Sequence, residues 1–181
     1  MAYEIEYKVF LESKLDIINM LTNIGCIWGK KKRQYDQTYY KKEFTDANSE
    51  KEIFLRIRQE DNNNNILTLK QILNNMEVLE FESTIGNPDE IAKMIRLIGF
   101  EEYVTINKLR TEGKLNSFSI CLDEVENLGE FLEVEMLVED NCERETAKKE
   151  IQNFLLFIGI NSEQICTKRY HTMLRELYNR R

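Results

Sequence analysis

A strict two-residue alternation limits this chain most. Along run after run, apolar residues alternate with charged or polar ones, which makes each run a strand with one apolar and one polar face. Tyr3-Glu4-Ile5-Glu6-Tyr7-Lys8-Val9 is the clearest case. The pattern returns in Phe54-Leu55-Arg56-Ile57-Arg58, Leu67-Thr68-Leu69-Lys70 and Leu79-Glu80-Phe81-Glu82. It returns again in Ile106-Asn107-Lys108-Leu109-Arg110 and Leu132-Glu133-Val134-Glu135-Met136. Ser117-Phe118-Ser119-Ile120-Cys121-Leu122-Asp123 alternates small or polar with large apolar residues, and a long stretch over 28–40 reads as extended. About eight strands follow.

Between them the period lengthens. Residues 13–24 carry Leu15, Ile17, Ile18, Leu21 and Ile24, with Ser13 as N-cap and Gly25 as stop. Asn87-Pro88-Asp89-Glu90 starts a second helix: an N-cap, a proline at the first position, then two acids facing the dipole. A third spans about 142–158 and a short fourth about 172–178. The Asn62-Asn63-Asn64-Asn65 run reads as a hairpin turn or loop. One unit recurs: Glu4-x-Glu6, Glu80-x-Glu82 and Glu133-x-Glu135 each precede a helix closed by Ile-Gly, at Ile24-Gly25, Ile98-Gly99 and Ile158-Gly159.

The polar strand faces concentrate full charges of both signs. Carboxylates are Glu4, Glu6, Glu80, Glu82, Asp123, Glu133 and Glu135; cations are Lys8, Arg56, Arg58, Lys70, Lys108 and Arg110. Two arrangements fit. An antiparallel sheet with one wet side would point them all at water. A sheet curled into a closed barrel would turn them inward, with the apolar faces left outside for the helices, and about eight strands leave room for one small ligand. Clustered carboxylates then need a divalent cation between them, while Arg-x-Arg and Lys-x-Arg pairs suit phosphate oxygens. A polyphosphate with Mg²⁺ or Mn²⁺ satisfies both sets.

Composition removes several other classes. Over 181 residues the formal charge is −7, against a nucleic-acid partner. No apolar run approaches the roughly 20 residues of a membrane span, so no membrane partner is expected. The start is charged from its fourth residue, and no secretory signal is expected there. Seven glycines and one proline leave no Walker-type loop. The four cysteines form no CxxC pair, which suits a reducing cytoplasm, and a single histidine, His171, leaves oxygen as the ligand for any metal.

Glu4-Ile5-Glu6-Tyr7-Lys8 resembles the ExExK signature that opens CYTH proteins, the triphosphate tunnel metalloenzymes. Leu55-Arg56-Ile57-Arg58, Leu67-Thr68-Leu69-Lys70, Glu80-x-Glu82, Lys108-x-Arg110, Leu122-Asp123-Glu124-Val125 and Gly129-x-Phe131-x-Glu133-x-Glu135 follow in that family's order. The class IV adenylyl cyclase branch is the most similar, through Asp36 ahead of Tyr39-Tyr40, the run 121–131 and a late Tyr170. The resemblance implies one α+β domain over 1–181, a closed antiparallel barrel of about eight strands with helices packed outside. It also implies metal positions at Glu4, Glu6, Glu133 and Glu135, with Asp123 as a polar lumen residue orienting a cation or the metal. Phosphate binders would be Lys8, Arg56, Arg58, Lys70, Lys108 and Arg110, with Glu80 and Glu82 in support. A homodimer is the expected assembly. Gln71-Ile72 departs from the family, where a Gly-Pro turn is frequent, and reads as the end of a strand.

The implied chemistry is cyclisation of ATP to cyclic AMP and pyrophosphate. The same residues suit hydrolysis of a triphosphate by a positioned water, with a Lys or Tyr as base; Lys8, Lys70 and Tyr170 are the candidates. A non-catalytic nucleotide sensor would use the same tunnel. The run Lys30-Lys31-Lys32-Arg33 reads as a solvated strand edge or an attractor of anions.

Overall fold

The computed structural model describes residues 3–41, 52–61 and 63–179. Its strands are β1 (Tyr3–Leu11), β2 (Ile27–Tyr40), β3 (Glu52–Glu60), β4 (Asn65–Asn74), β5 (Glu77–Thr84), β6 (Glu101–Leu115), β7 (Phe118–Val125), β8 (Gly129–Val138) and β9 (Ile165–Cys166). Helices are α1 (Lys14–Asn23), α2 (Pro88–Leu97), α3 (Arg144–Phe157) and α4 (Tyr170–Asn179). Every pairing is antiparallel, in the order β5-β4-β3-β2-β6-β7-β8-β1. β1 then pairs back to β5 and closes an eight-stranded barrel. Among the described residues the closing seam is short, with Tyr3, Glu4 and Ile5 set against Leu79, Val78 and Glu77. The two-residue β9 covers the edge of β1 further along, at Lys8 and Val9.

The alternation fixes the layers. Ile5, Tyr7 and Val9 of β1 point outward and join Ile120, Leu132 and Val134 beneath α1 and α3, contributed by Leu21, Ile151 and Leu155. Tyr39, Leu55 and Ile57 form a second outer core with Ala92 and Ile95 of α2. α2 begins as read, with the Asn87 side chain accepting from the Glu90 amide at 3.2 Å. The three Ile-Gly closures share one geometry: Gly25, Gly99 and Gly159 have φ of +96°, +91° and +83°, conformations open to glycine at little steric cost.

α4 lies across one end of the barrel. Tyr170 and Leu174 pack on Val104, Ile106, Val125 and Phe131, whose strand parity matches the lumen residues, so this helix closes the end where β1 finishes. It starts two residues before the expected position and runs one residue past it.

One expectation at a strand end came out differently. Gln71 and Ile72 continue β4, paired with Ile53 and Glu52 on one side and Leu79 and Val78 on the other, so no turn occurs there. The asparagine run does make the β3–β4 turn, where Asn63 has φ of +61° and the Glu60 amide donates to the Asn64 carbonyl at 3.0 Å; Asn62 lies outside the described residues. Lys30 to Arg33 sits where β2 pairs with β6 alone, an edge as read, with Lys32 3.1 Å from Glu112.

Candidate active site in the barrel lumen

The inward faces of the strands enclose a cavity of about 230 Å³. Every charged residue named from the sequence lines it except Asp123, and Tyr170 closes it from α4. Asp123 lies just behind the wall, its side chain without exposure, 3.0 Å from Lys108 Nζ and 2.7 Å from Arg110 Nε. The opposite charges have sorted into contacts. Lys8 reaches Glu6 at 2.9 Å and Glu133 at 3.1 Å. Arg56 contacts Glu80 and Glu82 at 3.0 Å each. Lys70 contacts Glu80 and lies 3.7 Å from Glu4.

This sorting divides the five carboxylates expected at a metal. Across the β1–β8 ladder, Glu133 stands opposite Lys8, while Glu135 stands opposite Glu6. Arg110 also contacts Glu133. Burial would raise the Glu133 carboxyl, but Lys8 and Arg110 hold it well below the usual range. Burial acts on Asp123 in the same way, and Arg110 and Lys108 hold it low. Both are therefore neutralised by side chains already present.

Glu4, Glu6 and Glu135 are less fully compensated: Glu6 shares Lys8 with Glu133, and Glu4 shares Lys70 with Glu80 at a longer 3.7 Å. One oxygen of each lies within 4.8 Å of the others. Burial, with Glu135, Glu80 and Glu6 adding repulsion against Lys70, raises Glu4 well above the usual range. Burial and the nearby Glu133 and Glu6 push Glu135 up to about 7 despite Arg110. Three converging carboxylates short of positive charge, with no sulfur or nitrogen among them, form a donor set for a hard divalent cation.

Lys8, Lys70 and Tyr170, the candidate bases, are held in their protonated forms in the ligand-free lumen. Burial alone would lower the two lysines, yet Glu6 and Glu133 hold Lys8 above the ordinary value, and Glu4 and Glu80 do so for Lys70. Burial and the carboxylates of Glu133 and Asp123 drive Tyr170 far up, so it stays a phenol that keeps its proton to donate. Lys8 Nζ lies 4.4 Å from the Tyr170 ring centroid, a cation–π contact that further fixes the ammonium. Lys108 alone among these lysines is pushed down, by burial and by Arg110 and Arg58.

Some lumen residues had no assigned role. Asp36 binds Arg58 from β2, and Thr68 donates to Glu82 at 2.9 Å. Continuing the alternation through Gln34, Asp36 and Thr38 would have put Asp36 inside. Arg169 and His171 also line the cavity, and no periodicity marks them, because they enter from the β9–α4 segment and not from a strand.

The CYTH domain model matches residues 2–170, nearly the whole chain. The chain belongs to the CYTH domain family. A Methanocaldococcus jannaschii relative, provisionally named adenylate cyclase, is 30% identical over 171 residues, covering 92% of this chain and 95% of its own. The PH1012 protein of Pyrococcus horikoshii superposes with a TM-score of 0.81 at 27% identity, covering 93% of this chain and 98% of that one. A Hippeastrum protein, provisionally an adenylyl cyclase and described as revealing a dominant triphosphatase activity, shares the fold at 18% identity and a TM-score of 0.60, over 88% and 89% of the two chains. Triphosphate tunnel enzymes of the CYTH family depend on a divalent metal in general, and Glu4, Glu6 and Glu135 are suited to hold one here. Among the described residues, no helix is long and apolar enough to cross a membrane.

Proposed function

We propose that this protein is a divalent-metal-dependent enzyme acting on a triphosphate, and that it cyclises ATP to cyclic AMP and pyrophosphate. The observation that carries the reading is the division of the lumen. Three incompletely compensated carboxylates converge at Glu4, Glu6 and Glu135, beside six cations that each already hold or adjoin an anion. The adenylate cyclase name of the 30% identical relative supports cyclisation.

In this reading Glu4, Glu6 and Glu135 hold Mg²⁺ or Mn²⁺, which when bound supplies Lewis acidity at a phosphoryl oxygen and eases ionisation of an attacking hydroxyl. The rest falls to the chain. Arg56, Arg58 and Arg110 present guanidinium donors, and Lys8, Lys70 and Lys108 present ammonium groups, to the triphosphate oxygens. Glu80, Glu82, Asp36, Asp123 and Glu133 keep those cations charged and aimed while no ligand is bound. The Tyr170 phenol donates a hydrogen bond. In cyclisation the ribose 3′-hydroxyl attacks the α-phosphorus and pyrophosphate leaves, its growing charge met by the same cations.

Hydrolysis of a triphosphate is the second reading, and the shared fold of the Hippeastrum protein favours it. Purified protein with Mg²⁺ or Mn²⁺ is offered ATP and inorganic tripolyphosphate in parallel, and cyclic AMP and phosphate are measured. Cyclic AMP from ATP, abolished by EDTA without unfolding, is the expected result. Phosphate release without cyclic AMP selects the second reading. Neither product with either metal removes both.

A further inference from the structure

The lumen continues past the residues assigned to phosphate and metal. Arg110 and Glu135 line a second cavity of about 510 Å³ as well as the first, so the two adjoin. The last residues of β6, the first of β7 and the start of β2 build its wall. Glu112 and Lys114 share the strand parity of Arg110, and Ser119 and Cys121 share that of Asp123, so all four face inward. Across the β2–β6 ladder, Lys32 stands opposite Arg110 and Ile27 opposite Lys114.

This end is open. Ile27 is 77% exposed on its rim, whereas Tyr170 and Leu174 of α4 are buried across the opposite end. Exposure also grades along the cations: the Arg110 side chain is 9% exposed, that of Lys32 is 33% exposed, and Lys114 is a surface residue. Among the described residues, Lys32 pairs with Glu112 at 3.1 Å, while Lys114 reaches the Ser119 hydroxyl at 3.3 Å and no carboxylate. Lys30, exposed on the same end of β2, has no ion-pair partner among them either. On the opposite wall Glu82 is already held by Arg56, so the uncompensated charge at this mouth is positive and lies on β2 and β6. The whole chain carries −7, which repels a polyanion from most directions. A cleft with cations between low-dielectric walls focuses the field and draws anions in.

We infer that this open end is the passage by which the triphosphate enters and its anionic product leaves, with Lys114 and Lys32 leading inward to Arg110. Neither lysine lines the first cavity, so both act on capture and not on the reacting groups. The lysine run of β2, a strand edge in the fold, thereby gains a role in association. The inference rests on the triphosphate reading above and adds a route and a rate to it.

Stopped-flow binding in Mg²⁺ uses two fluorescent probes, ATP labelled on its ribose and tripolyphosphate labelled at one end. For whichever binds, Lys32→Gln/Lys114→Gln should slow association by about fivefold or more at low salt and leave dissociation nearly unchanged. The loss should vanish at about 1 M salt, where charges are screened beyond about 3 Å. Lys93→Gln, on the outer face of α2, should change neither rate. The Lys32–Glu112 pair is partly solvated, so losing it costs little stability, and Lys114→Gln alone repeats the test if the double variant folds poorly. Ser119→Trp narrows the passage and should slow association and dissociation together, by about threefold or more, with affinity nearly kept. Wild-type association in the lysine variants, a loss that persists at high salt, or unchanged rates in Ser119→Trp overturns the inference while triphosphate binding stands. If neither probe binds wild type, the triphosphate reading itself falls.

Discussion

Asp36 holds Arg58 by two parallel hydrogen bonds, Nε to Oδ1 and a terminal nitrogen to Oδ2, each 2.7 Å long. The side chains are 3% and 9% exposed, so this two-point ion pair sits almost out of water in the barrel wall. Burial would raise the aspartate carboxyl, but Arg58 keeps it below its usual range.

Breaking the pair from the acidic side leaves a buried guanidinium uncompensated. Asp36→Ala should therefore destabilise the ligand-free protein by about 3–5 kcal/mol in urea titrations. Tripolyphosphate, with oxygens to replace the lost carboxylate, should raise the melting temperature of the variant more than that of wild type. Equal shifts would mean that Arg58 does not face the anion.

Glu135 gives a prediction with a definite pH sign. Its carboxyl keeps a proton up to about pH 7, against an ordinary value of 4.5, so between those values the folded chain binds more protons than the unfolded one. Stability of the metal-free protein thus falls as pH rises through that window. Glu135→Gln removes the effect, so in EDTA the variant should melt above wild type beyond pH 7, and the two curves should meet near pH 4.5. Turnover of the variant should fall by orders of magnitude, with a raised Mg²⁺ requirement. A variant less stable than wild type at pH 8 would contradict the crowding of Glu4, Glu6 and Glu135.

The short β1–β5 seam is tied from outside. Glu77, opposite Ile5, accepts from Arg144 at 2.7 Å and contacts Lys148 at 2.5 Å, both on α3. Burial would raise this carboxyl, but Lys148, Asn74 and Arg144 lower it, so its contribution is full above 4.5 and is lost as pH falls through the lower folded value. Because both cations are partly solvated, Glu77→Gln should cost only about 1–2 kcal/mol at neutral pH. Urea midpoints at pH 7 and pH 3 check this; a gap that widens in acid would be the wrong sign.

Gly113 leaves no room for a side chain. A Cβ there would lie 2.6 Å from the Trp28 ring and 2.7 Å from Cys26 Sγ. Gly113→Ala should destabilise by about 1–3 kcal/mol, since neither the indole nor the buried thiol swings aside easily. Equilibrium unfolding within about 0.5 kcal/mol of wild type would show that β2 gives way.

Long alternating strands were legible because period two is a local property. Once Ile5, Tyr7 and Val9 go to the outer core, Glu4, Glu6 and Lys8 must face inward. The helix starts and stops were legible for the same reason, as the Asn87 cap and the Ile-Gly closures show. β9 was missed, because a two-residue strand has no period to read. The extension of β4 through Gln71 and Ile72 was missed because partners on both flanks, β3 and β5, override the local break.

The sequence by itself determined which residues share the lumen, since alternation settles the face of every residue on a strand once one face is buried. Only the tertiary structure decided which carboxylates are compensated by neighbouring cations. Glu133 and Glu135 lie two residues apart on one strand and are indistinguishable by spacing. The β1–β8 register sets Glu133 against Lys8, where Arg110 also reaches it, and sets Glu135 against Glu6. Charge compensation depends on distances between strands far apart in the chain, and those distances exist only once the barrel has closed.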